Sequence, residues 1–255
     1  MNTFKIDGLS SELRVARFEG HEGISDLFSF QILVQASEHD IDFDAVIGQK
    51  ATLTLVHGEQ VRFVSGIVAA FEQTDAAPRS ASYLVTLVPA AWRLEHRRDS
   101  RIFQQMTTKD IVAKVIDKAG GGDVRFTLSG SYSPREYCVQ YRESDWSFVC
   151  RLLEEEGIHY YFEHEDGAHT LVFADSPSAH GALAGGAALP FHPDTDAMAQ
   201  GEHVSEFRFR AGMRAGKVAL TDYNFQKPSV SLLTSEGADR DTALEVYDFP
   251  GEYDA

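Results

Sequence analysis

Gln140-Tyr141-Arg142-Glu143-Ser144-Asp145-Trp146-Ser147-Phe148-Val149-Cys150-Arg151-Leu152-Leu153-Glu154-Glu155-Glu156-Gly157-Ile158-His159-Tyr160-Tyr161-Phe162 is the stretch on which the architecture turns. It reads as strand, helix, strand. Ser144 is a hydroxyl N-cap, and Trp146, Phe148, Val149, Leu152 and Leu153 form a broad apolar arc with Arg151, Glu154 and Glu155 opposite. Gly157 sits where a C′ glycine ends a helix. Ile158 to His164 then runs as a strand, Asp166-Gly167 makes a turn, and Leu171-Val172-Phe173 returns as the hairpin partner. The apolar positions are accounted for by packing alone, as a clip that orients the surrounding segment.

Upstream lies a second helix. Thr107 caps it, Asp110 sits in its first turn, Ile111, Val112, Val115, Ile116 and Ala119 recur at helical spacing, and Gly120-Gly121-Gly122 stops it. The first hundred residues are different. Phe28, Phe30, Ile32 and Val34 alternate with Ser29, Gln31, Leu33 and Gln35, which is the period of a half-buried strand. Thr52–Val56, the turn His57-Gly58-Glu59 and the run Val61-Arg62-Phe63-Val64-Ser65 predict a hairpin, and another strand spans Ser82–Val88. Short strands so spaced predict a small barrel or sandwich. Downstream, residues 176–201 are rich in Ala, Gly and Pro and read as a long connection. Four strands are predicted after it: Phe207–Arg210, one around Val218–Leu220, Val230–Leu233 and Leu244–Tyr247. Four strands close a barrel poorly, so this last unit is expected to be incomplete.

With 39 acidic and 23 basic residues in 255, the net charge is −16, which argues against nucleic acid or an anionic membrane as partner. Cys138 and Cys150 are the only cysteines, so neither a disulfide framework nor a four-cysteine zinc site is available. No stretch approaches the roughly 20 apolar residues of a membrane helix. The amino terminus lacks an apolar leader, and a reduced, soluble, cytosolic protein is expected.

Candidate chemistry is thin. His164-Glu165-Asp166-Gly167-Ala168-His169 superficially suggests a zinc protease, but that motif needs histidines four apart on one helix face. These are five apart across a predicted turn, and His159 and His164 are oddly spaced on one strand, which puts them on opposite faces. Exposed histidines at a hairpin end are the expectation. Ala211-Gly212-Met213-Arg214-Ala215-Gly216-Lys217-Val218 resembles a phosphate loop, yet its first glycine is one residue too close and Val218 replaces the magnesium-binding hydroxyl. It reads as a tight turn between two strands. Neither cysteine has a setting that favours a thiolate. Glu154-Glu155-Glu156 is expected to be solvated surface, and Arg93, Arg97, Arg98 and Arg101, interleaved with Glu95 and Asp99, are expected to form ion pairs. No catalytic, cofactor-binding or metal-ligating residue is assigned, no cofactor is expected, and assembly is favoured over chemistry.

Five stretches carry a family resemblance. They are Pro89-Ala90-Ala91-Trp92-Arg93-Leu94 running on through Arg101-Ile102-Phe103-Gln104 to Thr108-Lys109-Asp110-Ile111, Gln140–Asp145, Phe148–Phe162, Leu220–Pro228 and Tyr247-Asp248-Phe249-Pro250-Gly251. Together they resemble the hub portion of VgrG-type (valine-glycine-repeat) spike proteins of type VI secretion systems, related to the baseplate hubs of contractile phage tails. The resemblance implies a mainly β fold with an α+β insertion and two barrel-like units, as in phage tail hub proteins. Mapped onto this chain, it implies a first barrel-like unit at 1–100, an insertion and connection at 101–200, and a second, incomplete barrel at 201–255. It further implies a homotrimer whose pseudo-sixfold ring docks on the hexameric tube protein (Hcp) among baseplate components. A needle, a PAAR-repeat tip protein and effectors would follow through a C-terminal part, so the chain is expected to be a truncated hub. Assembly in the bacterial cytoplasm and delivery by the apparatus are implied as well. Two rival readings stand beside it: a metal-assisted hydrolase using His159, His164 or His169, and a glycan- or peptide-binding β module.

Overall fold

The computed structural model describes the chain except residues 1, 59, 78–79, 182–187, 194–202, 252 and 254–255, and the side chains of 76–77. Two compact units divide it, residues 1–187 and 188–255.

The first unit begins with a closed antiparallel barrel. Its strands are β1 (Thr3–Ile6), β2 (Leu13–His21), β3 (Ser29–Ala36), β4 (Lys50–His57), β5 (Gln60–Ala77) and β6 (Ser80–Val88), with the short helix α1 (Phe43–Val46) before β4. The order β1-β2-β3-β6-β5-β4 closes because β1 pairs with both β2 and β4. The alternation read in the sequence is realised: Phe30, Ile32, Val34 and Ala36 of β3 all point into the core. A barrel this narrow is filled by its own side chains. Each large one removed from water contributes about 1.5–3 kcal/mol. Tyr83 is fully buried, stacks on Phe71 at 4.9 Å, and satisfies its hydroxyl by donating to the Glu38 carbonyl at 3.0 Å.

After a 3-10 turn at Ala90–His96 the chain builds a second core. The elements are β7 (Arg98–Met106), α2 (Thr108–Ala119), β8 (Asp123–Thr127), β9 (Arg135–Ser144), α3 (Asp145–Glu155), β10 (His159–Glu165) and β11 (Ala168–Ala174). Both helices carry the predicted caps. The Thr107 and Ser144 hydroxyls accept from the Asp110 and Ser147 amides at 3.2 and 3.0 Å. Gly120 and Gly157 take φ of +64° and +66°, which a side chain would resist, and the Ile158 amide then donates back to the Leu153 carbonyl at 2.8 Å. The apolar faces of α2 and α3 meet over Leu94, Phe103, Leu171 and Phe173. β10 and β11 form the expected hairpin, but β8 joins it parallel to β11, a pairing no local signal announced. β7 and β9 make a separate two-stranded ribbon.

The second unit is an open sheet of β12 (Lys217–Leu220), β13 (Thr234–Gly237) and β14 (Glu245–Asp248) in the order β13-β12-β14. Strands were rightly expected near Val218 and Leu244. The strand expected at Phe207–Arg210 is not formed: these residues are irregular, and Phe209 is 94% exposed. Alternation alone cannot make a strand without a ladder to pair with. Consequently residues 211–218 are not a turn between two strands; they lead from irregular chain into β12. The strand expected at Val230–Leu233 is displaced to Thr234–Gly237, where the polar residues pair with β12.

Trp146 is buried and packs edge-on against Tyr160 at 5.2 Å. Trp146→Ala should cost about 3–5 kcal/mol in denaturant melts, as for other buried large-to-small changes. A loss under about 1 kcal/mol would mean the indole does not carry the second core.

Candidate functional site

The histidines are the first test. The β10–β11 turn places His164 directly opposite His169 across the ladder. Both rings lie on the barrel, 4.9 and 5.8 Å from the buried Phe28 ring. The expectation of exposed histidines at a hairpin end is therefore wrong for these two. The hairpin folds back onto the barrel's outer face, where Thr52 and Ser65 are buried and bonded to each other at 3.0 Å. The Ser65 amide donates to His164 Nδ1 at 3.2 Å, and the Ser65 hydroxyl donates to the Glu165 carbonyl at 2.6 Å. The Ala90 amide donates to His169 Nε2 at 3.1 Å.

These contacts assign the tautomers. His164 accepts through Nδ1, so its proton sits on Nε2, 3.5 Å from Glu22 Oε1. His169 accepts through Nε2 and is protonated on Nδ1. Burial, followed by the neighbouring His164, pushes the His169 pKa down to about 4. Glu22 is held below its usual value, by His164 first and then by Arg62, with which it pairs.

The three histidines named by the hydrolase reading do not converge. His159 points to the opposite face of β10 and meets His180 instead, as the odd spacing required. At His164 and His169 one ring nitrogen each is consumed by a backbone amide. Among the described residues no group of three or more His, Cys, Asp or Glu side chains could hold a metal. Cys138 is buried, and the Cys150 thiol is pushed up to about 11 by burial and then by Glu154, far from thiolate chemistry.

The charged runs turn out to be braces. Asp145, the first residue of α3, is fully buried and receives Arg97 Nε at 3.1 Å, Gln140 Nε2 at 2.9 Å and Arg101. Arg97 and Arg101 thus form ion pairs as expected, but their main partner lies more than 40 residues away rather than in the interleaved acids, and Arg93 instead donates to the Gly120 and Gly48 carbonyls. Asp99 is a lesser contact, 3.5 Å from Arg101. Glu155 and Glu156 are not free surface: they grip Arg135 at 2.6 and 2.9 Å. Asp175 is held well below the carboxylate range by the Gly130 and Ser129 amides and by Tyr132, whose own pKa rises to about 12.

One outward face of the β7–β9 ribbon carries an apolar cluster. Phe103, Cys138 and Gln140 turn the inner face of the β7–β9 ribbon to the core. Ile102, Tyr137, Val139 and Tyr141 stand exposed on the other, with Ile102 directly opposite Val139. The signal was present in the alternation Tyr137-Cys138-Val139-Gln140-Tyr141, which carries large apolar groups on the face away from Cys138. Glu22, Ser65 and His180 gave no such signal.

A closed six-stranded barrel followed by a braced α+β insertion, in a mainly β chain, is the architecture of the tail-hub class. The chain belongs to the phage tail baseplate hub (GPD) family, whose model matches residues 21–255. The type VI secretion system spike protein VgrG1b of Pseudomonas aeruginosa is 37% identical over 245 residues, covering 94% of this chain and 33% of the relative. A solved E. coli protein, c3393, is described as a type VI secretion component with structural similarity to T4 bacteriophage tail proteins gp27 and gp5. It superposes with a TM-score of 0.66 at 29% identity, over 75% of this chain and 52% of its own. The tail protein of Neisseria meningitidis MC58 shares the fold at a TM-score of 0.64 and 13% identity, over 97% of this chain and 71% of its own. The chain spans about a third of the length of the curated relatives it matches.

Two predictions follow from the braces. Asp145→Ala should cost about 1–3 kcal/mol in denaturant melts, because it leaves the Gln140 amide and the largely covered Arg101 guanidinium without their shared acceptor; a change below about 0.5 kcal/mol would show the cluster to be dispensable. Because His169 titrates at about 4 when folded and about 6.5 when unfolded, stability should be whole above pH about 6.5. It should fall by roughly 3 kcal/mol as the pH drops to about 4. Glu22 acts in the same direction. His169→Gln should flatten that slope, and an unaltered pH profile in the variant would remove His169 as its source.

Proposed function

We propose that this chain is the structural hub of a type VI secretion spike and has no chemistry of its own. Three copies would form a ring, and two barrel-like units per chain would give it the pseudo-sixfold character needed to dock on the hexameric tube protein. The observation that carries this reading is the hub-family match over residues 21–255, with relatives named as VgrG spike proteins. Baseplate components are the neighbouring partners. A needle, a PAAR-repeat tip and effectors would be carried by the part of the relatives' length that this chain does not span. Assembly would take place in the bacterial cytoplasm, followed by delivery through the apparatus. No helix among the described residues is long and apolar enough to cross a membrane.

The ribbon face of Ile102, Tyr137, Val139 and Tyr141 supports assembly, since exposed aromatic and aliphatic clusters mark protein contacts. Each chain carries −16, so copies repel and association must rest on apolar contact and local pairing.

Light scattering at micromolar concentration should give three times 28.3 kDa, and the trimer should strengthen from low to moderate salt as repulsion is screened. Val139→Asp or Tyr141→Asp should weaken it. A monomer at every salt concentration would sink the ring, and association unaffected by either substitution would move the contact off the ribbon.

A further inference from the structure

His159 and His180 form a pair that the hub reading does not use. His159 shares the outward face of β10 with Tyr161. The chain beyond β11 folds back over that face through a 3-10 turn at Pro177–Ala179. The Tyr161 hydroxyl donates to the Ala179 carbonyl at 3.1 Å, and the His180 ring leans on the Tyr161 ring at 4.7 Å. His180 is thereby brought to His159, with Nε2 to Nε2 at 3.0 Å and ring centroids 5.1 Å apart. The nitrogens are much closer than the ring centres, so each points inward at the other.

Two neutral imidazoles in that arrangement share one proton, one donating and the other accepting. A cation between the rings would satisfy both Nε2 lone pairs at once, the shared proton moving to Nδ1 of the ring that had donated it. Bonds of about 2.0–2.1 Å at a tetrahedral angle require the nitrogens to stand about 3.4 Å apart. An opening of about 0.4 Å from the observed separation is enough, and both side chains border solvent. Imidazole suits zinc, copper and nickel, whereas calcium and magnesium demand oxygen. The nearest acid along the same strand face, Glu163, is engaged by Arg125.

We propose that His159 and His180 form a two-histidine site for a divalent transition ion, zinc or copper in class, completed by water. The bound ion pins residues 176–180 against β10. The site is structural: it sits on the face of β10 opposite His164 and is independent of the hub reading.

Zinc and copper titrated calorimetrically into chelator-treated chain near neutral pH should reveal one saturable site. His159→Ala and His180→Ala should each weaken it about tenfold or more. His192→Ala should leave it intact, which separates this site from another close histidine pair, His192 and His203, whose rings lie 5.7 Å apart. Zinc should also slow proteolytic cleavage around residues 176–181, and a chelator should reverse that protection in wild type but find none to reverse in the two variants. Absence of saturable binding in the wild type would overturn the site. So would binding that survives both substitutions, or binding lost only in the His192 variant.

Discussion

A single buried carboxylate organises the insertion. Asp145 opens α3, where the helix dipole favours negative charge, yet its side chain is removed from water. Such a charge is tolerable only when fully partnered. Arg97, from the end of the 3-10 turn, Arg101 from β7 and Gln140 from β9 supply the partners, and the Asp145 amide donates to the Arg97 carbonyl at 2.8 Å. Arg101 Nε also bonds Gln140 Oε1 at 2.8 Å, so the partners are held by one another. Helix, ribbon and turn meet at one polar point inside an apolar core. The geometry of the ribbon's outward face depends on it.

The barrel and the insertion are joined by a different device. The hairpin covers a polar patch on the barrel's outer wall, where His164 and His169 accept from the Ser65 and Ala90 amides and the Ser65 hydroxyl donates to the Glu165 carbonyl; Glu22 adds a charged neighbour 3.5 Å from His164 Nε2. Burial against Phe28 opposes charge on His169. In a hub this matters mechanically. The barrel has no free edge, so the insertion must dock on its side wall, and the junction decides how rigidly the ribbon is presented.

Sequence reading succeeded where the determining forces are local. Caps at Thr107 and Ser144, stop signals at Gly120 and Gly157, and the alternation of β3 all act within a turn or two of chain. It failed where a residue's fate depends on something distant. His164 and His169 flank a turn and so read as exposed, but a turn is exposed only if nothing lies beneath it, and here the barrel does. Glu155 and Glu156 read as solvated until Arg135 arrives from another strand. Phe207 and Phe209 have the period of a strand, yet period without a ladder leaves them in irregular chain.

The sequence by itself determined the α+β middle of the chain, the β character before and after it, and the lack of any motif whose spacing demands chemistry. These follow from residue type and near-neighbour spacing, which the unfolded chain already contains. Only the tertiary structure decided which charges are buried, that His169 resists protonation, that β8 runs parallel to β11, and that His180 comes to rest on His159. Each of those depends on two segments meeting that are far apart along the chain. Their free energy comes from the desolvation and pairing that meeting brings about, and that has no local signature to read.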